Sequence, residues 1–152
     1  MEQAPDSLAD TQADAVVPEL RERFRSGKQV LIDHFMAGRP SAPAATWLLR
    51  NLARHVDRTI VALWRVAAIP DGAGLAAVGG YGRGELFPHS DVDVLLLVPD
   101  DAPHASDPVW RERISQFVAS CWDIGLEIGS SVRTVAECVA DARIDVTVQT
   151  AM

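Results

Sequence analysis

A glycine-rich loop between two apolar runs is the feature that most constrains how this chain can fold. Residues 75–78 are apolar, the loop GGYGRG follows at 79–84, and a strongly apolar run over 92–98 begins directly after Asp91. Short apolar runs bounded by turn residues are typical of β-strands, so the pattern predicts two strands and a glycine loop. Because side chains alternate between faces along a strand, Asp91 and Asp93 are expected on one face.

The two aspartates predict a metal site. Carboxylates that converge on one small volume repel each other unless a cation lies between them. We expect Mg²⁺, because it prefers oxygen ligands and commonly binds one or two carboxylates together with substrate phosphates. The alternative is a solvated start of a strand, which Asp-x-Asp alone favours. The glycine loop, Arg83 and Ser90 alongside Asp91 and Asp93 favour the metal site instead.

The loop predicts a phosphate-binding site. Gly79 and Gly80, with two further glycines, let the backbone adopt positive φ and bring bare N–H groups close to a ligand. Arg83 adds a forked cation suited to phosphate oxygens. Two alternatives stay open: Arg83 pairs with Glu85 or an aspartate, and Ser90 only bonds its local backbone. No Gly-Lys-Ser/Thr follows, which excludes a P-loop, and the next element is a strand, which excludes a dinucleotide fingerprint.

Composition limits the partners of such a site. The 152 residues suit one domain, 48% of them are apolar, and the net charge is −7. An acidic chain argues against nucleic acid as the main partner, because nucleic-acid binders present a basic face. With two cysteines, no export signal and no apolar run long enough to span a bilayer, we expect reduced thiols, a cytoplasmic location and no membrane partner.

The order of elements predicts an α+β fold, in which helices flank a small mixed β-sheet and an N-terminal helical extension precedes it. Residues 1–16 are polar and Ala-rich and are expected to be disordered. Residues 17–70 are expected to form the helical segment, and residues 71–152 the sheet-containing core.

Hydrophobic spacing and capping residues predict the single elements. They are a helix from Pro18 to Gly38, a helix over 44–68, strands over 75–78 and 92–98, a helix over 108–123, a strand over 126–133, and a short helix to about Arg143 that starts with a Thr134/Glu137 capping box.

A Gly-Gly loop followed by Ser-Asp-x-Asp before an apolar strand resembles the nucleotidyltransferase core of the DNA polymerase β superfamily. The longer string GGYGRGELFPHSDVDVLLLV, with WDIGLEIGSSVRTVAEC downstream, is similar to one branch of it. That branch is the N-terminal domain of the bifunctional uridylyltransferase/uridylyl-removing enzymes that modify the PII nitrogen-signalling protein. The resemblance covers residues 75–152 well and the preceding helices only loosely.

The resemblance implies a two-metal transfer of a uridylyl group from UTP to a tyrosine hydroxyl of PII, with release of pyrophosphate. Asp91 and Asp93 match the paired Mg²⁺ ligands of the family, which also uses a third carboxylate on a later strand. Glu127 is our choice for that third ligand because it lies on the predicted third strand. Asp145 is the alternative, and it falls after the capped helix.

The resemblance also implies domains outside this chain. Full-length members of the branch carry a hydrolase domain that removes the uridylyl group and C-terminal domains that sense glutamine. We therefore expect this chain to be a fragment with neither of those functions. The alternative from another functional class is a non-catalytic nucleotidyltransferase fold that binds nucleotide or a protein partner without turnover. Nothing in the residues separates uracil from adenine, so that choice depends on the resemblance alone.

Overall fold

The computed structural model describes residues 6–101 and 107–144, with side chains from residue 15 onwards. It has an α+β fold with a small mixed sheet flanked by helices, which confirms the predicted fold class. The elements are α1 Asp6–Ala37, α2 Ala42–Ala67, β1 Gly74–Ala77, α3 Gly79–Gly82, β2 Val92–Val98, α4 Pro108–Asp123, β3 Ile128–Thr134 and α5 Val135–Ile144.

The three strands of the sheet lie in the order β1-β2-β3. β1 pairs antiparallel with β2, with Ala77 opposite Val94, and β2 pairs parallel with β3, with Val92 opposite Ile128. The parallel pair is joined through α4, as a parallel connection requires a crossover. Consequently the first residues of β2 and β3 lie side by side at one end of the sheet.

Helices α1, α2 and α4 form the core against one face of this sheet. Val92, Val94 and Leu96 of β2 are buried in the core cluster, whereas Asp93 is exposed on the opposite face. In the core, Trp64 of α2 meets Phe117 of α4 edge to face, with ring centroids 5.3 Å apart. Burial against the helices therefore fixes which face of β2 presents its polar residue.

The N-terminal helix differs from the prediction. α1 begins at Asp6, so residues 6–16 are helical where disorder was expected, and Pro18 lies inside the helix instead of at its start. Two properties explain the difference. Alanine has the highest helix propensity of all residues and recurs in this segment, and Val16 and Val17 pack against the core cluster.

The last helix begins with the predicted capping box. The Glu137 N–H donates to Thr134 Oγ1 at 3.1 Å, and the Thr134 N–H donates to Glu137 Oε2 at 2.7 Å. The Ala136 N–H donates to Asp100 Oδ1 at 3.0 Å. Side chains thus satisfy three backbone donors around the helix start, and Asp100 ties α5 to the end of β2.

Replacing Thr134 with alanine is expected to lower the free energy of unfolding by about 1 kcal/mol, because the cap acceptor for Glu137 N–H is lost. Urea denaturation of the variant and the wild type measures the difference. Ser131→Ala, an exposed change in the same strand, is the matched control and should stay close to the wild type. Equal stability of the two variants would show that the cap contributes nothing.

Both cysteines are buried and free, as predicted for reduced thiols. Burial raises the pKa of the Cys121 thiol to about 12, so this thiol stays protonated and unreactive at neutral pH. None of the helices in residues 6–101 and 107–144 has the length and apolar character needed to cross a membrane.

Candidate active site

The glycine segment between β1 and β2 forms a single helical turn, α3, where a loop was predicted. The Gly82 N–H donates to Val78 O at 2.9 Å, and the Arg83 N–H lies 3.2 Å from Gly80 O. The first N–H groups of a helix have no partner within it. Accordingly the N–H groups of Gly79, Gly80 and Tyr81 have no acceptor within the part of the chain that the structure describes.

Two glycines of this turn are required by geometry. Gly79 has a φ of +60°, a left-handed conformation that disfavours side chains, and a Cβ there would lie 3.2 Å from Asp93 Oδ2. A Cβ at Gly82 would lie 2.7 Å from the backbone oxygen of Ala77. The turn therefore sits directly against the end of β1 and against the Asp93 carboxylate.

The Asp93 carboxylate lies between two glycines. A Cβ at Gly129 of β3 would come within 2.7 Å of Asp93 Oδ1, and Gly79 borders the other oxygen. The two strands place Asp93 opposite Gly129 in register. No hydrogen bond or ion pair to another described residue engages this exposed carboxylate, so its oxygens are open to a ligand.

Asp91 and Glu127 immediately precede the two parallel strands. The Val92 N–H donates to Glu127 O at 2.8 Å, which extends the pairing of Val92 with Ile128 by one residue. Both acidic residues are therefore exposed neighbours at the same end of the sheet. β3 begins at Ile128, two residues later than predicted, so Glu127 precedes the strand instead of lying within it. The competing residue, Asp145, lies outside the described residues.

The three carboxylates are not gathered into one cage. In residues 6–101 and 107–144, no group of three His, Cys, Asp or Glu side chains is placed to hold a metal ion. Like-charged carboxylates repel each other when no cation lies between them. Asp91 and Asp93 nevertheless fit a hard divalent cation in donor chemistry, because both are exposed and Mg²⁺ takes its remaining ligands from phosphates and water.

The structure gives Arg83 and Ser90 the following partners. Arg83 Nε lies 3.6 Å from Glu85 Oε2, with the two side chains 65% and 58% exposed. Exposed ion pairs of this kind contribute little to stability. Arg83 can therefore leave Glu85 and pair with a phosphate at a small cost in free energy. The Ser90 N–H donates to Phe87 O at 3.2 Å, and its exposed hydroxyl has no partner among the described residues.

A cavity of about 90 Å³ opens beside the end of the sheet where β2 and β3 begin, and Ser90 and Glu127 form part of its wall. Lys28, His55 and His89 contribute the other polar and charged side chains of the lining. Nothing in the sequence spacing of these three residues brings α1, α2 and the segment before β2 together.

Gly129 is the site residue that sequence analysis missed. It lies within the string LEIGSSVR, which was interpreted only as a strand. A glycine inside a strand often marks the close approach of another group, and that signal was available. Its partner, the Asp93 carboxylate, becomes evident only once the register of β2 and β3 is known.

Comparison with known proteins bears on this geometry. A family model described as "Nucleotidyltransferase domain" matches residues 62–143. Three relatives are each named bifunctional uridylyltransferase/uridylyl-removing enzyme. The protein from Ralstonia nicotianae is 54% identical over 105 residues, 69% of this chain and 12% of that protein. The proteins from Burkholderia vietnamiensis and Chromobacterium violaceum are 47% and 45% identical over 87% and 92% of this chain, and 14% and 15% of their own lengths.

This chain thus spans between 12% and 15% of the length of these relatives. No solved structure gives a significant match. The matched region, residues 62–143, contains the glycine turn and the acidic residues at the end of the sheet. The similarity confirms the resemblance drawn from the sequence, and the chain belongs to the nucleotidyltransferase domain family.

Proposed function

We propose that this domain transfers a uridylyl group from UTP to a tyrosine hydroxyl of the PII nitrogen-regulatory protein and releases pyrophosphate. The placement of Asp93 is the observation that supports this most. Its carboxylate lies between Gly79 and Gly129 with no described partner, beside a turn whose first N–H groups are unpaired. The choice of UTP follows the names of the relatives.

Asp91 and Asp93 are proposed to hold Mg²⁺ together with the triphosphate, and Glu127 is proposed as the third ligand. When bound, two Mg²⁺ ions would neutralise developing charge on the phosphates and favour the ionised form of the attacking hydroxyl. The exposed position of all three carboxylates leaves room for a nucleotide and an incoming protein side chain. Cations bound between the three acids would offset their mutual repulsion.

The glycine turn is proposed to bind the triphosphate. The Gly79 and Gly80 N–H groups are unpaired donors, and phosphate oxygens are the acceptors that such groups favour. Arg83 would exchange its weak pairing with Glu85 for the phosphates. The Ser90 hydroxyl, free of described partners, would donate a further hydrogen bond.

The proposed reaction displaces pyrophosphate at the α-phosphorus of UTP. The tyrosine oxygen forms a bond to this phosphorus, the bond to the oxygen bridging to the β-phosphorus breaks, and the electron pair leaves with pyrophosphate. The hydroxyl proton is accepted by a carboxylate of the site, for which Glu127 is the proposed group. The product is a tyrosine that carries a uridylyl group in phosphodiester linkage.

A titration of this chain with UTP and Mg²⁺ tests nucleotide binding, because a ligand that binds only the folded state raises the melting temperature. We expect a shift that requires both UTP and Mg²⁺ and exceeds that with ATP. Incubation with a PII protein, followed by mass spectrometry, then tests transfer. A shift in melting temperature without a uridylyl adduct would favour the non-catalytic nucleotide-binding module. The absence of both the shift and the adduct would favour a module that binds only protein.

Glu127→Gln is expected to lower the transfer rate about tenfold more than Asp145→Asn, because general acid–base and metal-ligand roles contribute at least this much. Glutamine keeps the length of the side chain and removes only its charge. Rates measured on both variants in parallel at saturating UTP and Mg²⁺ give the comparison. The reverse order would move the third ligand from Glu127 to Asp145.

A further inference from the structure

The only tyrosine of the chain lies inside the glycine turn. Tyr81 is the single residue of α3 with a side chain, and it is 6% exposed and packed in the core cluster. Its hydroxyl donates to Asp57 Oδ1 of α2 at 2.6 Å. A turn built otherwise of glycines is thus held to a helix by one side chain.

This contact is strong for its type. A hydrogen bond from a hydroxyl to an ionised carboxylate is shorter and stronger than one between neutral groups. Burial, and after it the hydrogen bond to Asp57, raises the pKa of the Tyr81 hydroxyl well above its ordinary value. The hydroxyl therefore stays protonated and remains a donor at neutral pH.

Backbone hydrogen bonds link the turn that carries Tyr81 to the strand that carries Asp93. The Gly84 N–H donates to Tyr81 O at 2.9 Å, which closes the turn, and the Val78 N–H donates to Asp93 O at 3.1 Å. Between these bonds lies Gly79, the residue against Asp93 Oδ2. Movement of Tyr81 would accordingly change both the direction of the Gly79 N–H group and the wall beside Asp93.

The other end of this contact lies on a helix that packs in the core. Asp57 lies on α2 between Val56 and Ile60, which are 3% and 2% exposed in the core. The carboxylate of Asp57 is at the surface and Tyr81 approaches it from the interior. A buried ring with its polar end bonded to a fixed helix restricts rotation of the turn about its own axis.

We propose that Tyr81 and Asp57 form a positioning pair, which holds the glycine turn so that its unpaired N–H groups face the triphosphate of the nucleotide. This role rests on the proposed function, since it concerns the same site. Neither side chain touches the nucleotide, and their effect passes through the backbone of the turn. The pair thus acts on nucleotide affinity more than on the chemical step.

Four variants test this role. Tyr81→Phe keeps the ring in the core and removes the hydroxyl, whereas Asp57→Ala removes the acceptor and Asp57→Asn retains a neutral oxygen acceptor. We expect Tyr81→Phe and Asp57→Ala each to raise the KM for UTP about tenfold with kcat within about twofold, as loss of a binding contact predicts. Asp57→Asn should restore most of the affinity. The double variant should be no worse than either single variant.

Thr59→Ala is the control for a purely structural effect. Thr59 is a buried residue of the same helix whose Oγ1 donates to His55 O at 3.0 Å, and it makes no hydrogen bond to the turn. It should lower the melting temperature without changing the KM for UTP. If Tyr81→Phe changes KM no more than Thr59→Ala, the positioning role is overturned while the proposed function stands. If the wild type binds no UTP in a direct titration, both fail.

Discussion

Replacing Asp93 with asparagine is expected to lower the rate of uridylyl transfer more than about a hundredfold while the fold stays intact. A metal-held charge stabilises the transition state by several kcal/mol, and each 1.4 kcal/mol is about tenfold in rate. Asparagine has nearly the same shape but carries no charge. The Asp93 carboxylate makes no hydrogen bond or ion pair to a described residue, so its loss removes no contact on which folding depends.

Steady-state kinetics with UTP and Mg²⁺, together with urea denaturation, measure the two effects separately. The free energy of unfolding should change by less than about 0.5 kcal/mol, as for other surface substitutions. Asp71→Asn, an exposed change in the turn before β1, is the matched control and should retain full activity. Asp91→Asn should behave as Asp93→Asn does. An unchanged rate in either aspartate variant would remove that residue from the site.

The strand that carries Asp93 could be predicted to the residue. Its run VDVLLLV is apolar at every position but one, and the observed strand has the predicted bounds, Val92–Val98. The helix over Pro108–Asp123 was predicted equally well because a proline at its start and Gly125 after its end mark it. In both cases the signal is local, because the apolar pattern of the element and the turn residues at its ends are adjacent in the sequence.

The glycine turn was harder to predict from sequence. Four glycines in six residues were expected to give a loop, because glycine lets the backbone adopt positive φ. The turn is helical because contacts outside it decide its shape: Tyr81 is drawn into the core and bonded to Asp57. Arg83 was left with two interpretations for a related reason, since a side chain exposed by 65% has no neighbour that sequence could specify.

Gly129→Ala is expected to lower transfer activity about tenfold to a hundredfold, the range typical of changes that displace a metal ligand without removing it. The added Cβ would lie 2.7 Å from Asp93 Oδ1, a distance that real Cβ atoms do not tolerate. The Asp93 carboxylate is the exposed end of a side chain, so it moves while the strands stay paired. Alanine itself suits a strand at least as well as glycine, so stability should not fall.

Gly74→Ala supplies the matched control, because it makes the same chemical change in another strand of the sheet with no atom within 4 Å of the new Cβ. It should keep wild-type activity and Mg²⁺ dependence. The double variant Gly129→Ala/Asp93→Asn decides the cause: if the methyl group acts only by displacing this carboxylate, it adds no loss to that of Asp93→Asn. A full additional loss would mean that residue 129 affects transfer by another route, and that the contact between Asp93 and Gly129 does not position the carboxylate.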